Sequence, residues 1–168
     1  MTINPQRILQ GRYQVVPRSI ILLIKNHQVL LQLGSSDKKI FPDHFNGIGG
    51  HIERGEDILV AARRELLEEA GLTCENLKLA GTIMIDVLEN TGILLFVFSG
   101  DKINGTPSTS DEGTLHWIEI DQLGALKVVE DIPELISKIQ QKEATGKLFH
   151  GEYTYSEDGK RLAQWHWE

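Results

Sequence analysis

The sequence has one cysteine, Cys74, so no disulfide can close within the chain, and a reducing compartment is the setting that fits. Long apolar runs are also missing. The run Ile93-Leu94-Leu95-Phe96-Val97-Phe98 falls far short of the roughly 20 residues that span a bilayer. The opening stretch, MTINPQRILQGRYQ, holds no apolar segment of signal-peptide length. A cytoplasmic protein with no membrane partner is the expectation. Positive charge is scarce, with 17 Lys and Arg against 24 Asp and Glu and a formal charge of −7. Such a surface repels a long polyanion, so no nucleic acid polymer is expected as a partner. A small anionic ligand stays open, because divalent cations reverse the local sign where carboxylates converge. There is no internal repeat, heptad pattern, linker or Walker A loop, and His27, His44, His116, His150 and His166 show no ligand spacing such as H-x3-H. What is present is ordinary: 168 residues, 40% apolar and 24% charged, exclude a collagen-like or low-complexity chain. The length suits a single domain over 1–168 that buries roughly 70% of its unfolded surface without metal or disulfide staples.

Patterning places the elements. Arg18 to Ile24 and Gln28 to Leu33 read as strands joined by a short turn at Lys25-Asn26-His27. Leu59, Ala62, Leu66 and Ala70 recur at helical spacing, which predicts a helix from Glu56 to Ala70 stopped by Gly71. Leu77 to Leu88 and Ile93 to Ser99 read as strands around the turn Glu89-Asn90-Thr91-Gly92. Asn104 to Gly113 is a polar loop, and Leu115 to Ile120 a further strand. Ile132, Leu135, Ile136 and Ile139 share one face of a second helix, Ile132 to Lys142. Alternation from Leu148 to Thr154 and from Arg161 to Trp167, around Ser156 to Gly159, predicts a terminal hairpin.

The segment Gly50 to Leu72, GHIERGEDILVAARRELLEEAGL, carries the chemistry. On a helix Glu65, Glu68 and Glu69 stand at i, i+3 and i+4 and cover about 100° of one face. An arbitrary acidic trio reads as a solvated face. Here the helix already has an apolar stripe to pack with, and a glycine-rich turn leads into its first residues, so the acids are free to face a cleft. Oxygen ligands in this arrangement suit hard cations, Mg²⁺ or Mn²⁺, that bridge to phosphate oxygens.

This segment resembles the Nudix box of nucleoside-diphosphate-linked hydrolases, G-x5-E-x7-R-E-U-x-E-E-x-G-U, with U a bulky aliphatic. Gly50, Glu56, Arg64, Glu65, Leu66, Glu68, Glu69, Gly71 and Leu72 fill every fixed position. At average residue frequencies chance gives such a match in roughly one chain in ten million. The resemblance implies that Glu65 and Glu69 ligate metal or deprotonate the attacking water, and that Glu68 adds a further ligand. It implies that Glu56 and Arg64 brace the helix as an ion pair, and that Gly50 lets the backbone approach metal or phosphate. Hydrolysing a pyrophosphate bond needs charge neutralised on a crowded polyanion and a water placed in line, and bridging divalent ions supply both. Which of Glu65, Glu68, Glu69 or a residue outside the box takes the proton stays open.

Outside the box the chain is similar to MutT-type enzymes that act on oxidised purine nucleoside triphosphates, the animal 8-oxo-dGTPase branch in particular. Phe45-Asn46-Gly47-Ile48-Gly49-Gly50 resembles that branch's Trp-Asn-Gly-Phe-Gly-Gly, and Gly105-Thr106-Pro107 recurs in the same loop. Ser110-Asp111-Glu112 precedes Trp117 at the same interval, and Phe149-His150-Gly151 opens the last hairpin similarly. On local grounds Asn46 is the turn residue of a tight hairpin; by resemblance it reads the base edge, for which an amide offers donors and an acceptor. Glu112 is a loop acid or, by resemblance, a ligand or base beside the metal. Trp117 is a core residue or a wall of the nucleobase pocket. Glu130 and Asp131 precede the second helix, where the macrodipole favours acids. The matching region of the animal enzymes carries two aspartates that read the base, with the register here open by one residue.

Some positions depart from the pattern. Aliphatics near Ile40, Ile85 and Val129 stand where that branch has stacking aromatics, so stacking is weaker or comes from others such as Phe41. His51 replaces a common lysine, exchanging a fixed charge for one that titrates near neutrality. The lysines of the Gly34 to Lys39 loop read as solubilising.

The resemblance implies an α/β fold, the Nudix α/β/α sandwich with a mixed β-sheet between helices. It implies a Mg²⁺- or Mn²⁺-dependent enzyme, monomer or homodimer, that cleaves oxidised purine nucleoside triphosphates such as 8-oxo-dGTP to monophosphate and pyrophosphate. The alternatives are hydrolysis of ADP-ribose or a dinucleoside polyphosphate, or a non-catalytic nucleotide-binding module. Intact Glu65, Glu68 and Glu69 argue against the last.

Overall fold

Residues Ser19 to Leu23 are buried without interruption, the pattern of a strand covered on both faces. The computed structural model describes residues 11–108, 113–155 and 161–164. Its elements are β1 (Gln14–Lys25), β2 (Gln28–Gly34), β3 (Phe45–Asn46), helix α1 (Ile58–Ala70), β4 (Thr73–Cys74), β5 (Lys78–Leu88), β6 (Thr91–Gly100), β7 (Ile103–Asn104), β8 (Gly113–Glu119), a 3-10 turn (Ile120–Ala125), helix α2 (Ile132–Thr145), β9 (Phe149–Tyr155) and β10 (Arg161–Gln164). The main sheet runs β10-β9-β5-β6-β1-β2-β3, with β8 also paired to β2, and β4 and β7 form a separate pair. It is a mixed sheet: β1 runs parallel to β6 and β5 parallel to β9, while the other pairs are antiparallel.

Strand parity sorts the core into two layers. Ile20 and Leu22 face Ile132, Leu135, Ile136 and Ile139 of α2, and Ile21 and Leu23 face Ala62, Leu66 and Ala70 of α1. Each fully buried leucine or isoleucine contributes about 2 kcal/mol of transfer free energy, so the apolar stripe fixes α1 against the sheet and leaves its other side for chemistry. The α/β sandwich expected from the sequence is the observed fold. Among the described residues no helix is long and apolar enough to cross a membrane.

One boundary and one additional element differ from expectation. Helix α1 starts at Ile58 because Asp57 is its N-cap, Oδ1 accepting from Leu59 N at 2.9 Å and Val60 N at 3.0 Å. Glu56 therefore stands before the helix. The 3-10 turn after β8 has no apolar period to announce it. Gly71 ends α1 as expected, in the left-handed region at φ 66°. The terminal hairpin forms from β9 and β10; its turn and Trp167 lie outside the described residues.

Candidate active site

Arg64 sits among the acids of α1 as their counter-charge. Its guanidinium forks onto Glu56, Nε to Oε1 at 2.6 Å and Nη2 to Oε2 at 2.9 Å. Nη1 donates to Glu65 Oε1 at 2.9 Å and Glu68 Oε2 at 3.1 Å, and Nη2 also reaches the His51 carbonyl at 3.1 Å. Only arginine offers a planar fork with this many donors. Hydrogen bonds from Arg64, then one from the Glu53 N–H at 3.0 Å, lower the Glu56 carboxyl to about 2. Glu56 and then Glu65 push the guanidinium upward in turn. One cation thereby ties the pre-helix loop, the glycine turn and two helix acids together.

The glycine turn approaches these acids closely because it carries no side chains. At Gly49, φ is 152° and a Cβ would overlap the Ser19 carbonyl, and a Cβ at Gly50 would lie 2.6 Å from Glu65 Oε1. Backbone bonds pin the turn to β1: Ile21 N donates to Ile48 O at 2.7 Å, and Ser19 N to Gly50 O at 2.9 Å. Gly49 N–H faces Glu69 Oε2 at 3.4 Å. Glu65 and Glu69 both line the adjoining cleft. Glu68 is turned toward Arg64 with 60% of its side chain exposed.

The cleft measures about 730 Å³ and joins this acidic end to an apolar one built by Ile20, Ile85, Leu95 and Val129. Ile40, Ile85 and Val129, the aliphatics that stand in for aromatics, all line it, as do Phe41, Asn46 and Asp131. Asn46 Oδ1 accepts from Gly47 N at 2.8 Å, so the amide is anchored in the turn while standing on the cleft wall. Asp131 is buried on that wall and accepts from the Tyr153 hydroxyl at 3.0 Å. Glu130 is exposed and borders a smaller recess beside Phe41 and Tyr155. The structure thus places Asp131, and not Glu130, on the main cleft.

Trp117 is a correction to the pocket assignment. It lies opposite Leu30 in the β2–β8 register and packs against the cluster that holds Leu30 and Leu66 on the α1 side of the sheet. The apolar cleft wall comes from strand positions of the opposite parity, so the indole does not reach it. Lys38 departs from its solubilising role: it is half-buried, its Nζ 3.5 Å from Gln32 Oε1, and lines a small recess with Gly49 and Glu69. Glu112 lies outside the described residues.

A family model described as NUDIX domain matches residues 15–139. The chain belongs to the Nudix family. As such it is a hydrolase of diphosphate bonds that acts on small nucleotide substrates. It is 36% identical to the oxidized purine nucleoside triphosphate hydrolase of Danio rerio over 106 residues, 62% of this chain and 67% of that one. The protein of the same name from Mus musculus is 33% identical over the same shares of each chain. The crystal structure of a MutT protein from Bacillus halodurans superposes with a TM-score of 0.73 at 24% identity, covering 88% of this chain and 95% of its own.

Nudix enzymes work with a divalent metal, and the donors here suit one. The carboxylates of Glu65 and Glu69 and the carbonyl of Gly50 all offer oxygen donors, and the bare Gly50 Cα lets the turn abut Glu65. Among the described residues no three His, Cys, Asp or Glu side chains form a closed cage. Few protein ligands are what a hard cation that keeps waters and substrate oxygens in its shell requires.

Three cleft residues of this Nudix site carried no signal in the box. Arg18 donates through Nε and Nη2 to His51 Nε2 at 3.1 and 3.0 Å, and both residues line the cleft. An arginine can only donate, so Nε2 is the acceptor, and Arg18 supplies the fixed positive charge that His51 does not. Tyr153 and Tyr155 line the cleft at i and i+2 of β9, an alternation visible in the sequence that could have flagged them as one face.

Proposed function

We propose that this enzyme hydrolyses oxidised purine nucleoside triphosphates such as 8-oxo-dGTP to the monophosphate and pyrophosphate, with Mg²⁺ or Mn²⁺. The carrying observation is that one cleft holds Glu65 and Glu69 together with Asn46 and the buried Asp131. That supports a ligand with a polyphosphate at the acidic end and a base at the other. The names of the Danio rerio and Mus musculus relatives support the same substrate class. Phe41 and Tyr155, both exposed, offer aromatic surface in place of the missing sandwich.

A bound divalent ion would neutralise polyphosphate charge and acidify an attacking water. Glu65, Glu69 and the Gly50 carbonyl would hold it, with Glu68 and Glu112 as further ligands, and Glu69 is the candidate to take the water's proton. Arg64 and Glu56 hold Glu65 in place, and Arg18 attracts the phosphates. Strands β9 and β10, beyond the residues matched by the family model, extend the same sheet, which supports one domain over 1–168. We place it in the cytoplasm, for which the buried, free Cys74 thiol is suited, and read it as a monomer or homodimer.

The test is incubation with Mg²⁺ and, separately, 8-oxo-dGTP, dGTP, ADP-ribose and dinucleoside polyphosphates, followed by product analysis. Fastest turnover of 8-oxo-dGTP, with pyrophosphate released, is the expected result. Faster turnover of ADP-ribose than of any triphosphate overturns the substrate assignment.

A further inference from the structure

Tyr153 and Asp131 meet inside the cleft wall. The Tyr153 hydroxyl donates to Asp131 Oδ2 at 3.0 Å, and the two residues are 4% and 7% exposed. Burial, with the Asp131 charge beside it, pushes the phenol above its ordinary range, so it keeps its hydrogen and serves as the donor. The ring is fixed from two sides: Ile85 lies opposite it in the parallel β5–β9 register, and Tyr155 meets it edge-on with centroids 5.7 Å apart. Asp131 occupies the N-cap position of α2, yet its side chain makes no capping bond. The Tyr153 hydroxyl is therefore one of the contacts that set its orientation, and a capping bond is not.

We propose that Tyr153 is a positioning residue that sets the base preference of the cleft by holding Asp131 as a hydrogen-bond acceptor, an inference that rests on reading Asp131 as a base contact. A carboxylate that receives the tyrosine hydrogen meets a ligand with acceptor lone pairs. It matches a guanine-type edge, whose ring N–H and amino group both donate. It opposes an adenine-type edge at the ring nitrogen, which itself accepts. The same bond acting only as a staple between β9 and the start of α2 would stabilise the fold and leave base preference untouched.

Tyr153→Phe in the full chain keeps the ring and removes the hydroxyl. kcat and KM are measured on 8-oxo-dGTP and 8-oxo-dATP, which share the oxidised position and differ on the edge in question. The expected result is a fall of about tenfold in the ratio of the two kcat/KM values, the scale of one lost hydrogen bond, carried mainly by a higher KM for 8-oxo-dGTP. An unchanged ratio overturns the proposal, whatever happens to the absolute rates or the melting temperature. If Tyr153→Phe does not fold, Asp131→Asn, which exchanges an acceptor oxygen for an amide N–H donor, must lower the same ratio, and an unchanged ratio there is equally fatal. A wild-type enzyme that prefers 8-oxo-dGTP, with a ratio untouched by the variants, defeats the role of Tyr153 alone. A wild-type enzyme that cleaves neither oxidised purine but does cleave another diphosphate defeats the substrate assignment and this inference with it.

Discussion

Replacing Gly50 with alanine puts one methyl group where the glycine turn meets α1. The new Cβ would stand 2.6 Å from Glu65 Oε1, 2.8 Å from its Cδ and 3.0 Å from Oε2. Carbon–oxygen contacts settle at about 3.3 Å, so the carboxylate must retreat by about 0.7 Å. It cannot do so freely, because Oε1 holds Arg64 Nη1 at 2.9 Å and Arg64 is itself forked onto Glu56. The turn cannot yield easily either, since Gly50 O accepts from Ser19 N at 2.9 Å. A misplacement approaching 1 Å costs up to about 100-fold in rate, so kcat should fall about 30- to 100-fold, or about 2 to 3 kcal/mol in the barrier. The fold should survive. Gly50 is not among the glycines at positive φ, and alanine at a compatible backbone position contributes about 0.4 to 1 kcal/mol through the unfolded state, which offsets part of the crowding. The assay is steady-state kcat at saturating Mg²⁺ and triphosphate, with thermal melting alongside. Gly124→Ala is the control, since a Cβ there meets nothing within 4 Å. Wild-type kcat in Gly50→Ala would refute the reasoning, as would a loss of rate fully accounted for by unfolding at the assay temperature.

Three further outcomes are expected. Glu69→Gln keeps the shape and removes the charge, so turnover should fall about 100- to 10,000-fold, the range for a lost general base, while the melting temperature stays within a few degrees. A variant with near-wild-type turnover would take Glu69 out of the chemistry. Asn46→Ala should cost about 1 to 3 kcal/mol, read as poorer discrimination between 8-oxo-dGTP and dGTP; equal slowing of all substrates would instead mean that the Asn46 bond to Gly47 N merely positions the turn. The Glu56 carboxyl, at about 2 against an ordinary 4.5, contributes stability that is fully present above pH 4.5 and lost as pH falls toward 2. Melting curves of wild type and Glu56→Gln should therefore differ above that window and converge within it, and a constant gap down to pH 2 would contradict the pairing.

The chain's own patterning announced most of the scaffold because burial repeats at fixed periods. Leu66 and Ala70 mark one helix face, and Ile132, Leu135, Ile136 and Ile139 mark another, and each face meets the sheet as expected. Local chemistry also sufficed for Gly71, whose left-handed backbone ends α1. What depends on register was not legible. The side of the sheet that Trp117 faces follows from its pairing with Leu30, which no local pattern specifies. The choice between Glu130 and Asp131 likewise waited on where the chain enters α2. Contacts made between distant segments were silent as well: Arg18 with His51, and Tyr153 with Asp131. Sequence pattern alone runs the helix back to Glu56, because an ion-pairing acid at Glu56 and a capping acid at Asp57 look alike in one dimension.

The two parallel pairings bear on how the molecule comes to be folded. β1 and β6 join Gln14 to Thr91 and Leu23 to Gly100, and β5 and β9 join Gly81 to Phe149. Such contacts close large loops of chain before any of their energy is returned, which makes folding slow compared with that of local helices and hairpins. The cleft floor draws Ile20 from β1, Leu95 from β6, Ile85 from β5 and Tyr153 from β9. Catalytic competence is therefore a late event: α1, which carries Glu65 and Glu69, and the β1–β2 hairpin can assemble early, and the cleft is incomplete until β9 has docked. A nascent chain released before β9 emerges would carry the complete Nudix box and lack the far wall of its site.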